Sequence, residues 1–406
     1  MRVLFRQTRS NRYTLPLLAH LVENWDQKSI LGVEVARSSE ELSTSLKQGG
    51  PVLVCYSFMT PHLEEVAREV ESIRPLLGPR DLLVAGGPHA TADPWGTMAL
   101  GFQTIVCGGA EEVLPSLLEG WIRSPGSVPR ILLARGACSL EEALPVSRRL
   151  NFMAPLEITR GCPHGCTYCF TPRFHRKPVR HRALVSVARY LEASREMGRS
   201  LARFVAPDAF SYRAPEGGDE LESLERLLVL CKEMGTEQVH LGDFPSEVRP
   251  DRVRPEFLEL VLKYCTNKKL VIGAQSGSDR LLSSIKRGHS ASEVVRAVQQ
   301  VVSFGLLAHV DMLFGLPGEE SADRLASLRL MERLLRMGRV RIHAHIYLPL
   351  PSTPLFHMQP SKVEPWFLEK ISQLQGHGSL DGDWETQLLL QEKILHWREK
   401  GLIKSY

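Results

Sequence analysis

Cys162, Cys166 and Cys169 fall within eight positions, at a C-x3-C-x2-C spacing, in the run Glu157-Ile-Thr-Arg-Gly-Cys162-Pro-His-Gly-Cys166-Thr-Tyr-Cys169-Phe-Thr-Pro172. Three thiolates in one loop repel one another unless a cation neutralises them, so the spacing points to a metal. Closed four-ligand sites for zinc or an iron–sulfur cluster take a fourth protein group, whereas three thiolates leave one iron of a [4Fe–4S] cluster open. The competing reading is a structural zinc loop with His164 as fourth ligand. Closed zinc sites usually pair two ligand knuckles, and no second knuckle is visible.

Such a loop needs a rigid support. Strand-like runs at 156–159, 204–206, 238–241, 270–274, 309–314 and 342–348 alternate with helical stripes such as Leu184, Val187, Ala188 and Leu191. Ser290-Ala-Ser-Glu293 has the form of a capping box that opens another helix. Six strand–helix units in succession predict a parallel α/β arrangement.

At these residues the chain resembles the radical S-adenosylmethionine (radical SAM) enzymes, whose cluster loop is C-x3-C-x-aromatic-C after the first barrel strand; Tyr168 fills the aromatic place. The resemblance implies that the six strand–helix units form an open, partial (β/α)6 radical SAM barrel with its chemistry at the carboxyl ends of the strands, and a cluster on Cys162, Cys166 and Cys169, with SAM chelating the open iron. It also implies reductive cleavage of SAM to a 5′-deoxyadenosyl radical, fed by an electron donor such as a flavodoxin or ferredoxin.

The SAM-contacting residues it implies are Tyr168, Asp208, Arg249, Gln275, Ser276 and Arg287. Asp208 ends Phe204-Val-Ala-Pro-Asp208 and reads equally as a helix N-cap. Arg249, in Pro245-Ser-Glu247-Val-Arg249-Pro, either meets the SAM carboxylate or pairs with Glu247. Gln275-Ser-Gly-Ser-Asp279-Arg-Leu, with Lys286-Arg287-Gly-His289, resembles a run of the radical SAM methylthiotransferases. Gly315-Leu-Pro-Gly318-Glu319 matches the family's G-x-P-G-E turn, with Glu319 expected to start the next helix, and Pro349-Leu-Pro-Ser-Thr-Pro354 resembles its closing segment.

Residues 1–125 show strand-like runs at 3–5, 52–57, 82–85 and 104–107, and a helix with Leu63, Val66, Ala67, Val70 and Ile73 on one face. That alternation predicts a doubly wound, Rossmann-like parallel sheet with its ligand beyond the carboxyl ends of the strands. Gly86-Gly87-Pro88-His89 and Gly108-Gly109-Ala110-Glu111-Glu112 stand at two of those ends. Singly they read as tight turns; together they resemble the cobalamin (B12)-binding domain that precedes many radical SAM domains. The resemblance implies cobalamin contacts at Tyr56, Ser57, Met59, Gly86, Gly87, Pro88, His89, Gly108, Gly109 and Glu111. A nicotinamide-binding reading is weaker, because no G-x-G-x-x-G follows the first strand. Many B12 domains carry D-x-H-x-x-G after that strand, and Arg6-Gln-Thr-Arg9-Ser10-Asn11 stands there instead. Either cobalt binds without a histidine from that loop, or the domain has kept the fold and lost the cofactor.

The expected organisation is therefore residues 1–125, a proline-containing linker at 126–155, the radical SAM domain at 156–355 and a small helical extension at 356–406. A length of 406 residues gives each of two domains a core, and a net charge of +4 is too small to argue for nucleic acid. The first residues do not read as a signal peptide, and no apolar run is long enough to span a bilayer. Cys55, Cys107, Cys138, Cys231 and Cys265 are scattered singly in apolar surroundings, which suits buried thiols in a reducing cytoplasm. The basic run Arg173-Phe-His175-Arg176-Lys177-Pro-Val-Arg180-His181-Arg182 reads either as a solvated loop or as an anion contact. Three functions follow in order: cobalamin-dependent methyl transfer to an unactivated carbon, methylthiolation of tRNA or protein, and a non-catalytic B12- or cluster-binding sensor.

Overall fold

The computed structural model describes residues 1–135, 139–175 and 178–405, so Cys138, Arg176 and Lys177 lie outside the described residues. The chain forms two compact units, one built on Met1–Pro155 and the other on Leu156–Pro172 and Pro178–Leu395; the chain's end, from His396, groups with the first.

In the first unit β1 (Arg2–Arg6), β2 (Gly32–Ala36), β3 (Val52–Ser57), β4 (Leu82–Gly86), β5 (Thr104–Cys107) and β6 (Ile131–Leu133) form one parallel sheet in the order β2-β1-β3-β4-β5-β6. The helices between them are α1 (Leu15–Trp25), α2 (Ser39–Lys47), α3 (Leu63–Ile73), α4 (Gly87–Ala92), α5 (Pro94–Ala99) and α6 (Ala110–Arg123). Val3, Phe5, Leu53, Val84 and Val106 pack against Leu15, Ala19 and Val22 of α1 and Leu114, Leu118 and Trp121 of α6. Strand residues of the opposite parity, such as Leu4, Val54 and Ala85, are buried too, which explains the continuous apolar runs.

Two strands differ from expectation. Gly32–Ala36 is a half-exposed edge strand with a weak apolar signal. The stretch expected to be a linker, with one short strand-like run at Ile131-Leu-Leu-Ala, contributes Ile131–Leu133 to the sheet, where it pairs in parallel with β5. Because β2 lies outside β1, the strand order reverses between β1 and β3, where ligands of doubly wound sheets bind.

The second unit runs β7 (Leu156–Glu157), β8 (Leu201–Val205), β9 (Gln238–His240), β10 (Lys269–Gln275), β11 (Leu307–Phe314), β12 (Val340–Ile346) and β13 (Leu380–Asp381). Parallel pairing joins β9-β8-β7 and β10-β11-β12-β13. Val248 bridges the two sets: its N–H donates to Val271 O at 2.8 Å and its carbonyl accepts from Gly273 N at 3.2 Å. Strand order thus follows sequence order, as in a partial (β/α) barrel. The helices used below are α7 (Leu184–Glu196), α8 (Glu220–Glu233), α9 (Pro255–Tyr264), α10 (Asp279–Ser284), α11 (Ala291–Ser303), α12 (Ser321–Leu335), α13 (Pro365–Gly376) and α14 (Trp384–Glu399). The expected capping box is present: Ser290 Oγ accepts from Glu293 N, and the Glu293 carboxylate accepts from Ser290 N at 2.8 Å. The expected helical extension supplies α13 and α14, and also β13, two residues that pair with β12.

Ala308, Val310 and Met312 of β11 and Ile342 and Ala344 of β12 are fully buried. Alternate residues on the other face are polar: Lys269 on β10, His309 and Asp311 on β11, and Arg341, His343 and His345 on β12. Register places Gly273, Asp311, His343 and Asp381 in one row across four strands.

The turn after β10 is held by packing. A Cβ on Gly277 would lie 2.5 Å from Ala326 O and 2.7 Å from Ser327 Cα, both backbone atoms of α12. Gly277→Ala should lower unfolding stability by about 1–3 kcal/mol, read from denaturant midpoints; an unchanged midpoint would show that α12 can shift away.

Candidate active site and cofactor loops

The cysteine loop is pinned at both ends. Before it, Thr159–Arg160 pairs antiparallel with Arg180–His181 beyond it. Within it, Thr167 N donates to Ile285 O at 3.0 Å, next to the end of α10, and Tyr168 packs against Leu281, Ile285, Leu313, Leu316, Tyr347 and Leu355. Cys166 is buried, and Cys162 and Cys169 are half-buried. Burial, and then repulsion from the neighbouring thiols, raises the pKa of Cys162; burial does the same for Cys169. A cation would relieve both effects, so the donor set fits a cluster.

Two buried arginines face this loop. Arg287 donates from Nη2 to Gly273 O at 2.6 Å and from Nε to His289 Nε2 at 3.2 Å, and its Nη1 lies 3.8 Å from Cys166 Sγ. Arg249 Nε lies 3.0 Å from Asp251 Oδ1, yet Nε and Nη1 have no aligned hydrogen-bond partner. A buried guanidinium with unused donors suits a ligand carboxylate. Asp251 is the acid ion-paired with Arg249, and Glu247 lies within electrostatic reach of it. Burial raises the Glu247 carboxyl, which Arg287 partly offsets.

The other expected SAM contacts divide. Gln275 is buried with a left-handed backbone (φ 72°) at the end of β10. Asp208 is buried, and its carboxylate accepts from Arg249 N at 3.3 Å and from the Ser211 hydroxyl; it occupies the N-cap position of a short turn without capping it. Ser276 is bound into the turn: its hydroxyl accepts from Ser278 N at 3.1 Å and lies 3.2 Å from Ser327 Oγ. Arg182, at the end of the basic run, is likewise internal, donating to Glu157 O at 2.7 Å and Ser186 Oγ at 2.9 Å.

Glu319 does not start the following helix. Glu320 and Asp323 form the capping box of α12, while Glu319 turns back to accept from Gly315 N at 2.6 Å and from Arg324 at 3.0 Å. Sequence reading also passed over the inner-face row. Burial raises the Asp311 carboxyl well above the usual carboxylate value, with Glu247 adding to the shift. The signal was available as His-x-Asp at 309–311 and His-x-His at 343–345, polar residues at strand period.

In the first unit, Ser57, Met59, Gly86, Gly87, Pro88, His89, Gly108 and Gly109 gather at the carboxyl ends of β3, β4 and β5, and Glu111 follows in the first turn of α6. Gly87 is required by the chain itself: φ is 86°, and a Cβ would lie 2.6 Å from Ser57 Oγ and 3.1 Å from Phe58 N. His89 is fully buried and held near neutrality by that burial, its pKa pushed down to about 3; Nδ1 lies 3.0 Å from Thr60 Oγ1, and Nε2 has no partner. That orphaned nitrogen at a glycine-lined edge fits a polar ligand. Tyr56 points elsewhere, donating to Glu69 Oε2 at 2.7 Å beside the buried Arg6–Glu69 pair. At the end of β1, Asn11 Nδ2 donates to Arg6 O and Ser57 O at 2.8 and 2.9 Å, tying β1 to β3. His62, which sequence reading did not single out, lies there too, 3.5 Å from Ser10 Oγ.

A three-thiol loop on a partial barrel and a doubly wound sheet with a glycine-lined edge define the two halves of the chain. Residues 156–331 match the radical SAM superfamily, and residues 15–118 match the B12 binding domain. The chain thus carries a radical SAM domain and a B12-binding domain. It is 26% identical over 338 residues to an uncharacterised protein of Methanopyrus kandleri, covering 68% of this chain and 62% of that one. It is 27% identical over 241 residues to a tRNA-2-methylthio-N(6)-dimethylallyladenosine synthase of Saccharophagus degradans, covering 57% and 50%. The chain thus spans 62% of the first of these relatives and half of the second. Its fold is similar to that of TsrM, a radical S-adenosylmethionine methyltransferase from Kitasatospora setae with cobalamin and a [4Fe–4S] cluster bound, at TM-score 0.65, 16% identity and coverage of 87% and 74%. It is also similar to OxsB, a cobalamin-dependent S-adenosylmethionine radical enzyme, at TM-score 0.61, 13% identity and coverage of 93% and 55%. At such identities the likeness is one of fold.

Glu319 offers a test of this turn's electrostatics. Burial outweighs its bond from Gly315 and the pairing with Arg324, and pushes the carboxyl up to about 7 from 4.5. The folded state therefore holds this proton more tightly than the unfolded chain, so its contribution to stability falls as pH rises from 4.5 through about 7. Denaturant midpoints of Glu319→Gln should fall less across pH 5–8 than those of the parent; parallel profiles would overturn the assignment.

Proposed function

We propose that this chain is an enzyme that cleaves SAM reductively at a [4Fe–4S] cluster held by Cys162, Cys166 and Cys169, and that it uses cobalamin to transfer a methyl group to an unactivated carbon. The observation that carries the reading is the pinned three-thiol loop faced by Arg249, whose buried guanidinium has unused donors, in a chain that also has a B12-binding domain. When bound, the cluster supplies the electron that splits SAM to a 5′-deoxyadenosyl radical, and cobalamin supplies a cobalt that carries the methyl group.

The chain's own residues bind and orient. Arg249 takes the SAM carboxylate, Asp208 accepts from its ammonium group, and Gln275 borders the ribose. Tyr168 seals the loop against the apolar cluster around Leu281 and excludes water. Arg287 holds positive charge beside Cys166, which favours the reduced cluster. Gly86, Gly108 and Gly109 line the edge offered to the corrin, Met59 is exposed beside them, and His89 Nε2 is free for a polar group. The loop after β1 would offer a bound cobalamin no histidine, and Asn11 there is committed to joining strands. A flavodoxin- or ferredoxin-type donor supplies the electron, and the setting is the cytoplasm. Among the described residues, no helix is long and apolar enough to cross a membrane.

A second reading, methylthiolation of tRNA, rests on the likeness to the methylthioadenosine synthases. It requires a second cluster. Cys55 and Cys107 lie on different strands of the first unit, and burial pushes the Cys55 thiol up to about 12, unlike a poised ligand.

Anaerobic reconstitution with iron, sulfide and hydroxocobalamin, followed by desalting and metal analysis, tests both readings. About four iron and one cobalt per chain are expected, with iron, visible absorption and SAM cleavage all lost in Cys162→Ala/Cys166→Ala/Cys169→Ala. Doubled iron without cobalt would move the second reading to the front. A full cluster in the triple variant would overturn the central one.

A further inference from the structure

Away from the cysteine loop, the inner-face row ends in a second group of potential metal ligands. His309 on β11, His343 on β12 and Asp381 on β13 each offer one ligand atom, and these three atoms lie within 4.8 Å of one another. His309 Nε2 is 3.0 Å from Asp381 Oδ1, and His343 Nδ1 contacts the same oxygen. We propose that His309, His343 and Asp381 form a second metal site in this chain, binding a divalent first-row transition ion such as zinc.

Three features carry the inference. The ligands come from three consecutive parallel strands, so backbone pairing fixes their spacing: His343 is the register partner of Asp381, and His309 reaches the same carboxylate from one strand further away. Asp381 is delivered to this place by the chain after it. Gly382 has φ 121°, and any Cβ there would collide with Ala344 O of β12, so glycine alone lets β13 lie against β12. The donor set of two imidazoles and one carboxylate matches open zinc and iron(II) sites, which keep coordination positions free. His345 stands next to the group, with its ring centroid 4.4 Å from that of His343.

The site is reachable and contested. Side-chain exposures of 13% for His309, 29% for His343 and 40% for Asp381 leave an entry path. Arg341 Nη1, half-exposed and 3.9 Å from Asp381 Oδ2, is the cation a metal would displace. Without metal, two imidazoles share one carboxylate through hydrogen bonds; with metal, the ion replaces the shared protons. The open positions would take an oxygen or nitrogen donor of a molecule lying on the inner face. The inference rests on the strands and holds whether or not the proposed methyl transfer does.

Cobalt(II) alone is the probe, added in equimolar amount to the full chain carrying its cluster, without cobalamin, after chelator treatment and desalting. The expected result is one retained cobalt with d–d absorption of nitrogen and oxygen ligation and no thiolate charge-transfer band. In His309→Asn/His343→Asn, affinity should fall by more than the roughly 100-fold that loss of a single outer-shell partner costs, with cluster absorption unchanged. Asp381→Asn, nearly isosteric, should also weaken binding if the double variant fails to fold. No retained cobalt, a thiolate band, or undiminished affinity in folded variants would overturn the site. The parent spectrum decides between cysteine and histidine ligation even if neither variant folds.

Discussion

Parallel pairing decides which side chains share a face, and the second unit depends on that constraint. Once β10, β11 and β12 are paired in register, Ala308, Val310, Ile342 and Ala344 are committed to the outward face, under the helices. Their neighbours are committed inward, and there the sequence places lysine, aspartate, arginine and histidine. Parallel strands in such folds are ordinarily apolar on both faces. An inward face of charge and imidazole buries polar groups at a cost in desolvation, which packing alone does not require.

The same constraint positions the cysteine loop. Its flanks are closed by a two-residue antiparallel pair, and its middle is tied to the end of α10 by a single backbone bond from Thr167. Arg287 enters from the turn after α10 and is fixed by Gly273 O, so one arginine links the cysteine loop to the strand that starts the polar row.

Much of this was legible in the sequence, for physical reasons that also explain the rest. The core strands of the first unit were readable because burial on both faces leaves continuous apolar runs, as in Val52–Ser57, and those of the second because apolar and polar residues alternate, as in Leu307–Phe314. The edge strands β2 and β13 were not, because a half-exposed or two-residue strand is defined by its neighbour's backbone more than by its own side chains. Arg287 could be picked out from its motif, and its Nη1 lies 3.8 Å from Cys166 Sγ. Ser276 and Tyr56 have the right chemistry in the right places, yet each hydroxyl is bonded within the fold, to Ser327 and Ser278 or to Glu69, partners that only tertiary structure supplies. The histidines at 309 and 343 were hidden differently: each is ordinary alone, and only register across three strands assembles them.

Asn11 has a consequence for the energetics of the first unit. Its amide joins the carbonyls of Arg6 and Ser57, and its own oxygen takes the Thr8 N–H, so the floor of the crevice between β1 and β3 is knitted before any ligand arrives. A ligand entering there has no loose chain to order. Its binding entropy would come from water released rather than from backbone stiffened, and exchange of one ligand for another would leave the sheet beneath undisturbed.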